Sequence, residues 1–476
     1  MSMGMTIRDD YAKILDICES IKNKISSDSE VFYWPDPSYI DDIKHYATTS
    51  TTLPACSVEP ATSADVATII KIIRETQVPF AVKGGGHTLN PGFSSTTGIH
   101  IAMRRFHKVI YHANNQTVDV DSGLIWDDVY SALDPYNVSV VGGRVSGVGV
   151  AGFTLGGGYS WKSNQFGLAI DNVLGYELVS PNGTIVYVTN DSYSDIFFGL
   201  KGGFNNFGIV TNFKLRAVPQ TLVYGGLLIY VDIHKFDHIL TALVNFHNNN
   251  KDPKAQLLPS FFRQAGLICF ALTVFYDAPT APKSTFDEFM NISHVGVLKT
   301  RSFLSFIKAV PVFVTEGMRG RFHTVSVTNL TTRLLQELKN LTIYNTAKFD
   351  SRQSSLAVFT AEPFLSTYFD KSQGGAYPHV SSATPLLPVL VQFGWELPED
   401  DEFFINEIKL TVDSIMQVVL NEEKNDNGTV QIRYPNYALE TTPLSEMYGD
   451  NVPRLQSIRK AWDPDNVMNL TGGFKF

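Results

Sequence analysis

Three glycine clusters fall between residues 84 and 208, and they limit the fold more than any other feature of the chain. The first is Lys83-Gly84-Gly85-Gly86-His87, reached directly from the apolar run Pro79-Phe80-Ala81-Val82. The second extends from Gly142 to Gly158, and the third is Lys201-Gly202-Gly203-Phe204-Asn205-Asn206-Phe207-Gly208. A strand that ends in three glycines exposes bare backbone N–H groups, which phosphate groups can approach closely. The histidine closing the loop is a nucleophile whose neutral form dominates near neutral pH. Cradle plus nucleophile predict a phosphate-bearing cofactor that is held and covalently fastened. A nicotinamide-type fold uses one short glycine fingerprint. Gly147 to Gly152 contains Gly-x-Gly-x-x-Gly, but more glycines follow where a long helix and an acidic strand end are needed, so that reading is weak.

The chain has 476 residues, room for two to four domains, and its 44% hydrophobic and 18% charged composition is that of a globular protein with large cores. A net charge of −9 argues against a nucleic-acid or anionic-membrane partner. No apolar run is long enough to span a bilayer. Cys18, Cys56 and Cys269 are too few for a disulfide scaffold and form no Cys-x-x-Cys pair; one bridge with one cysteine left over stays open. Nine Asn-x-Ser/Thr sequons, at Asn115, Asn137, Asn182, Asn190, Asn291, Asn329, Asn340, Asn427 and Asn469, exceed chance and lean toward a secreted glycoprotein. The start Met1-Ser2-Met3-Gly4-Met5 carries no apolar signal segment, which leaves an intracellular location open.

Apolar spacing predicts a helix over 6–27, with Ile14, Ile17 and Ile21 on one face. A second follows Thr62-Ser63-Ala64-Asp65, carries Val66, Ile69, Ile70 and Ile73, and is expected to end at Pro79. Strands are expected at 99–102, 108–111, 117–120 and 209–213, a helix at 125–133, and a hairpin over 175–188 turning at Pro181-Asn182-Gly183. After Pro219 glycine density drops. Strands then read at 224–231 and 267–276, and helices at 236–246, 283–290, 331–338 and 402–420, with a domain boundary near 220.

The glycine–histidine loop, Val148 to Gly158, Tyr159 through Asn172, Gly202 through Val210 and the tail resemble the FAD-linked oxidases of the berberine bridge enzyme type, in the vanillyl-alcohol oxidase superfamily. The resemblance implies an α+β fold: a two-subdomain PCMH-type FAD-binding domain, plus a substrate domain built on a large antiparallel sheet flanked by helices. Residues 1–49 would be an N-terminal helical segment, 50–220 the FAD-binding domain, 221–425 the substrate domain, and 426–476 a return to the FAD domain. The resemblance further implies FAD bonded through its 8α carbon to His87, with Lys83, Gly84, Gly85 and Gly86 donating backbone N–H groups to the pyrophosphate. Many members carry a second bond from a cysteine where this chain has Val145, so a single linkage and a less oxidising flavin are expected. Ser146, Val148, Gly149, Gly152, Phe153, Gly156, Gly157, Gly208, Ile209, Val210 and Asn436 fall at other cofactor positions, Val148 at that of the oxygen gate.

Catalytic roles follow from the same likeness. Tyr434-Pro435-Asn436-Tyr437 resembles the family's Tyr-x-Asn-Tyr, with Tyr434 as general base and Tyr437 in reserve. Tyrosine titrates near 10, so either needs a neighbour that lowers its pKa or a proton to relay. On a strand, Arg433 would point away. His379, in Ala376-Tyr377-Pro378-His379, matches an aromatic-Pro-His strand facing the flavin; a solvent-facing loop is the alternative. Tyr159 matches an aromatic near the flavin, or is plain core. Tyr448-Gly449-Asp450-Asn451 and Trp462-Asp463-Pro464-Asp465-Asn466 would anchor the tail, with Asn466 near the cofactor. No nucleophile elbow precedes Ser146, no His-Glu-x-x-His occurs, and His100, His107 and His112 do not suggest a metal site.

The implied activity is an oxidase that takes hydride from an alcohol or carbohydrate carbon and is reoxidised by O2 to give hydrogen peroxide. It would act on a small molecule, as a monomer. The alternatives are a tailoring oxidase of a secondary metabolite, or a flavin-bearing binding or allergen-like protein with little turnover. Phe261, Phe262, Phe270, Phe275, Tyr377 and Trp395 would stack on sugars, line an apolar pocket, or fill the core.

Overall fold

The computed structural model describes residues 2–476 apart from 265, 311–314, 350–351, 353–354, 381–385 and 423–431. Its first sheet has the order β1 (Glu30–Phe32), β2 (Cys56–Glu59), β4 (Ile99–Ala102), β3 (Phe80–Lys83). β2 and β3 run parallel to β4, and the helix Ser63–Thr76 connects β2 to β3. The Thr62 hydroxyl accepts from the Asp65 N–H, as the capping pattern predicts. The helix stops earlier than expected, at Gln77 in a left-handed conformation (φ 55°). Pro79 instead gives its carbonyl to the Ile99 N–H. The first helix is Ser2–Lys22 rather than 6–27, and a Cys18–Cys56 disulfide fastens it to β2, leaving Cys269 free and buried.

The second sheet is antiparallel, in the order β5 (Val109–His112), β6 (Thr117–Asp121), β10 (Ile209–Arg216), β8 (Val173–Val179), β9 (Ile185–Val188). A two-residue pair, β7 (Val138–Ser139) with β11 (Val218–Pro219), forms a small sheet of its own. The hairpin of β8 and β9 turns where the Pro-Asn-Gly sequence places it.

The third sheet has eight antiparallel strands: β12 (Val223–Tyr230), β13 (Ala255–Gln264), β14 (Leu267–Tyr276), β15 (Val295–Gly296), β16 (Lys299–Arg301), β17 (Arg319–Val327), β18 (Leu356–Ala361) and β19 (Leu387–Trp395). Their order is β15-β12-β14-β13-β18-β19-β17, with β16 also on β12. Strand side chains alternate between faces. One face, with Tyr230, Phe261, Phe270, Leu272, Phe359 and Phe393, packs on the helices Phe236–Asn249, Thr332–Phe349 and Asp401–Glu422 in a single core. The other face, from Leu227 and Ile229 across to Leu390 and Gln392, looks toward the glycine loops.

Residues 432–476 return across the third glycine cluster. Tyr448 donates to the Gly202 carbonyl (3.1 Å), Trp462 to that of Phe207 (2.7 Å), and Asn206 to that of Phe474 (2.8 Å). The eight sequon asparagines within the described residues are all exposed; Asn427 lies outside them. Among the described residues no helix is long and apolar enough to cross a membrane.

Candidate functional site

The first two glycine clusters cross with their backbones in contact. A Cβ on Gly85 would lie 2.5 Å from the Gly149 Cα, so no side chain fits there. Gly86 has φ +66°, a conformation glycine adopts without strain, and it turns the chain so that His87 faces inward. The Val150 N–H donates to the Leu124 carbonyl (2.9 Å) and holds the second loop in place.

Between these loops and the open face of the large sheet lies a cavity of about 490 Å³. Gly84, Gly85, Gly86, His87, Val145, Val148, Gly149, Gly152 and Phe153 line it from the first two clusters. Gly208, Ile209 and Val210 line it from the third, and Tyr434, Asn436 and Tyr437 from the return segment. The structure thus collects fifteen of the residues singled out in the sequence into one chamber.

Six are placed elsewhere. The Lys83 side chain turns beneath the loop and donates to the Asp42 carbonyl (2.7 Å); burial lowers its pKa to about 8. Ser146 donates to the Asp127 carboxylate. Gly156 and Gly157 stand behind the site, where a Cβ on Gly156 would strike the Asn436 amide at 2.3 Å. His379 is neither on a strand nor at solvent. It is buried, with Nε2 2.9 Å from Asp171 and Nδ1 2.7 Å from the Tyr377 carbonyl, and Lys201 lies 3.9 Å from the same carboxylate. Tyr159 is one layer back: its hydroxyl meets those of Tyr368 (2.9 Å) and Tyr377 (3.2 Å), and its ring packs edge-on against Tyr434. Asn466 also stays away, as the left-handed residue (φ 55°) that precedes the turn Val467–Leu470. Of the six aromatics proposed for the substrate, only Phe262 lines the cavity; Phe261 and Phe270 occupy the opposite parity and join the helix-packed core.

Residues Pro435–Tyr437 form a 3₁₀ turn rather than a strand. Proline presets the turn, and it brings Tyr434, Asn436 and Tyr437 to one wall. Asn436 donates from Nδ2 to the Phe153 carbonyl (3.0 Å) and to the Tyr434 oxygen (2.8 Å), which also accepts from the Gly158 N–H (3.0 Å). Burial raises the Tyr434 pKa, partly offset by these donors and by the charge of Arg144. Arg433 turns away to the Thr324 carbonyl (2.7 Å).

Tyr437 donates to Glu362 (2.9 Å) and accepts from Arg144 (2.7 Å), and Arg144 grips Glu362 through two further bonds of 2.6 and 2.9 Å. Burial puts the Tyr437 pKa well above 10. This buried pair was not anticipated. Its one sequence signal is an arginine inside a segment of glycines and small apolar residues, since a buried guanidinium demands a partner.

His87 is half-buried with its Nε2 covered, and desolvation lowers its pKa to about 4, so the imidazole is neutral at pH 7. Its Nε2 has no hydrogen-bond partner among the described residues. A backbone cradle only glycine can form, beside a neutral imidazole nitrogen left without a partner, fits FAD: pyrophosphate along the glycines, ring system toward His87.

Residues 54–189 match the FAD binding domain family, and 433–473 the family described as berberine and berberine-like. The FAD-dependent monooxygenase drtC of Aspergillus calidoustus is 31% identical over 97% of this chain and 90% of its own length. The chain belongs to the berberine bridge enzyme-like family of FAD-linked oxidoreductases. Solved structures share the fold of this family member. The carbohydrate oxidase from Microdochium nivale superimposes with a TM-score of 0.77 at 18% identity, over 95% of this chain and 97% of that one. Glucooligosaccharide oxidase from Acremonium strictum, studied for its 6-S-cysteinyl, 8α-N1-histidyl FAD, gives 0.75 at 17%, over 95% and 97%.

Proposed function

We propose that this protein oxidises a small, largely apolar alcohol of the secondary-metabolite kind, with FAD attached through His87 alone. The observation that carries the substrate class is the sheet wall of the cavity. Leu227, Ile229, Leu258, Ala271, Leu356, Val358 and Leu390 make it aliphatic. Two of its polar groups engage each other: Ser260 and Thr360 are hydrogen-bonded at 2.7 Å. A sugar brings many hydroxyls, and each one buried without a partner costs about 1–3 kcal/mol. An apolar alcohol brings one. The carbohydrate reading therefore has less support than the alternative weighed beside it.

FAD, when bound, supplies the hydride acceptor and returns the electrons to dioxygen. Tyr434 holds the substrate hydroxyl and takes its proton. Its oxygen already accepts from Gly158 and Asn436, donors that stabilise negative charge on the phenol as the proton moves. Because burial keeps this phenol above its ordinary pKa, the resting Tyr434 is protonated, and it releases that proton to water in the cavity before it takes the substrate's. The Arg144–Glu362 pair fixes Tyr437 beside it. Val145 offers no thiol, which supports a single linkage.

The test is anaerobic titration of the purified protein with apolar allylic and benzylic alcohols and, separately, oligosaccharides, followed by admission of air. Bleaching by an alcohol and release of peroxide are expected. Bleaching by oligosaccharides alone overturns the substrate class, and oxygen found in the product instead of peroxide overturns the oxidase. Acid-precipitated protein should stay yellow, and His87→Ala should release its pigment. Release from wild type removes the covalent bond from the account.

A further inference from the structure

We propose that Tyr46 is the positioning residue that orients His87 for covalent attachment of FAD; this rests on the reading of His87 given above. The two rings stack with centroids 4.0 Å apart and planes 15° from parallel. Tyr46 is itself held at three points. Its N–H donates to the Gly86 carbonyl (3.0 Å), its carbonyl accepts from the Gly317 N–H (2.8 Å), and its ring lies on that of His87. Its hydroxyl lies toward the Gln392 side chain on β19, which with Tyr46 lines the cavity.

The loop itself leaves the imidazole underdetermined. Three glycines precede it and contribute no side chains to pack against, so the ring plane is set from outside. In attachment an imidazole nitrogen forms a bond to the flavin 8α carbon and loses its proton. The carbon loses one C–H bond, and the two protons and two electrons released convert dioxygen to hydrogen peroxide. The nitrogen lone pair lies in the ring plane, so the plane decides whether it points at that carbon. Stacking on Tyr46 fixes that plane, and the backbone bonds of Tyr46 to Gly86 and Gly317 hold Tyr46 in turn.

The experiment compares Tyr46→Leu, Tyr46→Phe and Gln392→Leu with wild type. Three readouts are taken: total flavin per protein, the acid-insoluble fraction of it, and the time course of that fraction after FAD is added to flavin-depleted cells or protein. Tyr46→Leu should bind FAD but attach it about 10²-fold more slowly, as expected for a misaligned nucleophile. Tyr46→Phe and Gln392→Leu keep the stacked ring and change only the surroundings of its hydroxyl, and should slow attachment by no more than about fivefold. A residue with only a packing role would lower total FAD and melting temperature together with attachment. Tyr46→Leu that attaches FAD at the wild-type rate overturns the proposal. So does parallel loss of bound and attached flavin in the two milder variants, should Tyr46→Leu fail to fold. A wild-type pellet without colour instead brings down the reading of His87 itself.

Discussion

At Tyr434, which lines the cavity, the oxygen receives two hydrogen bonds. Removing that oxygen removes both the proton acceptor and the partner of the Gly158 N–H and the Asn436 amide. Tyr434→Phe should lower the rate of anaerobic flavin reduction by about 10²- to 10⁴-fold, the span of a general base. It should also cost about 1–3 kcal/mol of stability, because two buried donors lose their acceptor. Stopped-flow reduction and thermal melts separate the two effects, and a near-normal reduction rate would move the role to Tyr437. The residues of this wall were legible to different degrees for a physical reason. The four-residue motif is contiguous, so sequence displays it. The Arg144–Glu362 pair joins positions 218 apart in sequence; the apolar surroundings of Arg144 call for a partner, but nothing local says which residue it is. His379 misled for the same reason: its partner Asp171 is 208 positions away, and that bond takes it out of the cavity.

At the level of elements, the glycines divide into those the backbone needs and those the ligand needs. Gly85 and Gly149 belong to the first kind, since each occupies the space of the other's side chain. Gly152 belongs to the second: it sits in the helix Val150–Leu155, lines the cavity, and a Cβ there would meet no protein atom within 4 Å. Gly85→Ala should therefore force the loops apart and lose both FAD and stability. Gly152→Ala should melt no lower than wild type, since alanine in a helix is favoured over glycine by about 1 kcal/mol, yet bind FAD more weakly. Spectral titration with FAD and a melt of each variant decide the matter; equal FAD affinity in Gly152→Ala would mean that the cofactor does not use this surface. The glycine loops were legible because glycine is a backbone signal carried by the residue itself. The strand β13 was not, because Pro259 interrupts it. Proline is tolerated there because it pairs with Leu272 on one side, while the ladder to β18 begins only at Ser260. A strand at Tyr434 was one alternative, since tyrosines favour strands, and the proline between the two tyrosines decides for a turn.

Across the whole molecule, burial of neutral histidines links both halves of the fold to pH. His45 and His100 lie under the first glycine loop, where His100 Nε2 is 3.1 Å from the Asp42 carbonyl, and His323 lies on β17 beside Arg433. Burial lowers their pKa values to about 4, about 3 and about 3. An unfolded histidine titrates near 6.5, so between that pH and about 4 the unfolded chain binds protons that the folded chain refuses. Their contribution is complete above pH 6.5 and is lost as pH falls. Asp42 works in the opposite direction, because burial raises it to about 6 and the folded state then holds a proton the unfolded chain lacks between about 4 and 6. His87, lowered to about 4 in the same way, makes four protons against one, so the histidines dominate, each worth up to about 1.4 kcal/mol per pH unit. The melting temperature should fall steadily from pH 6.5 to 4.5, and less steeply in His323→Gln, which removes one of these sites. A flat profile over that window would show that these imidazoles are reached by solvent and protonated within the native fold.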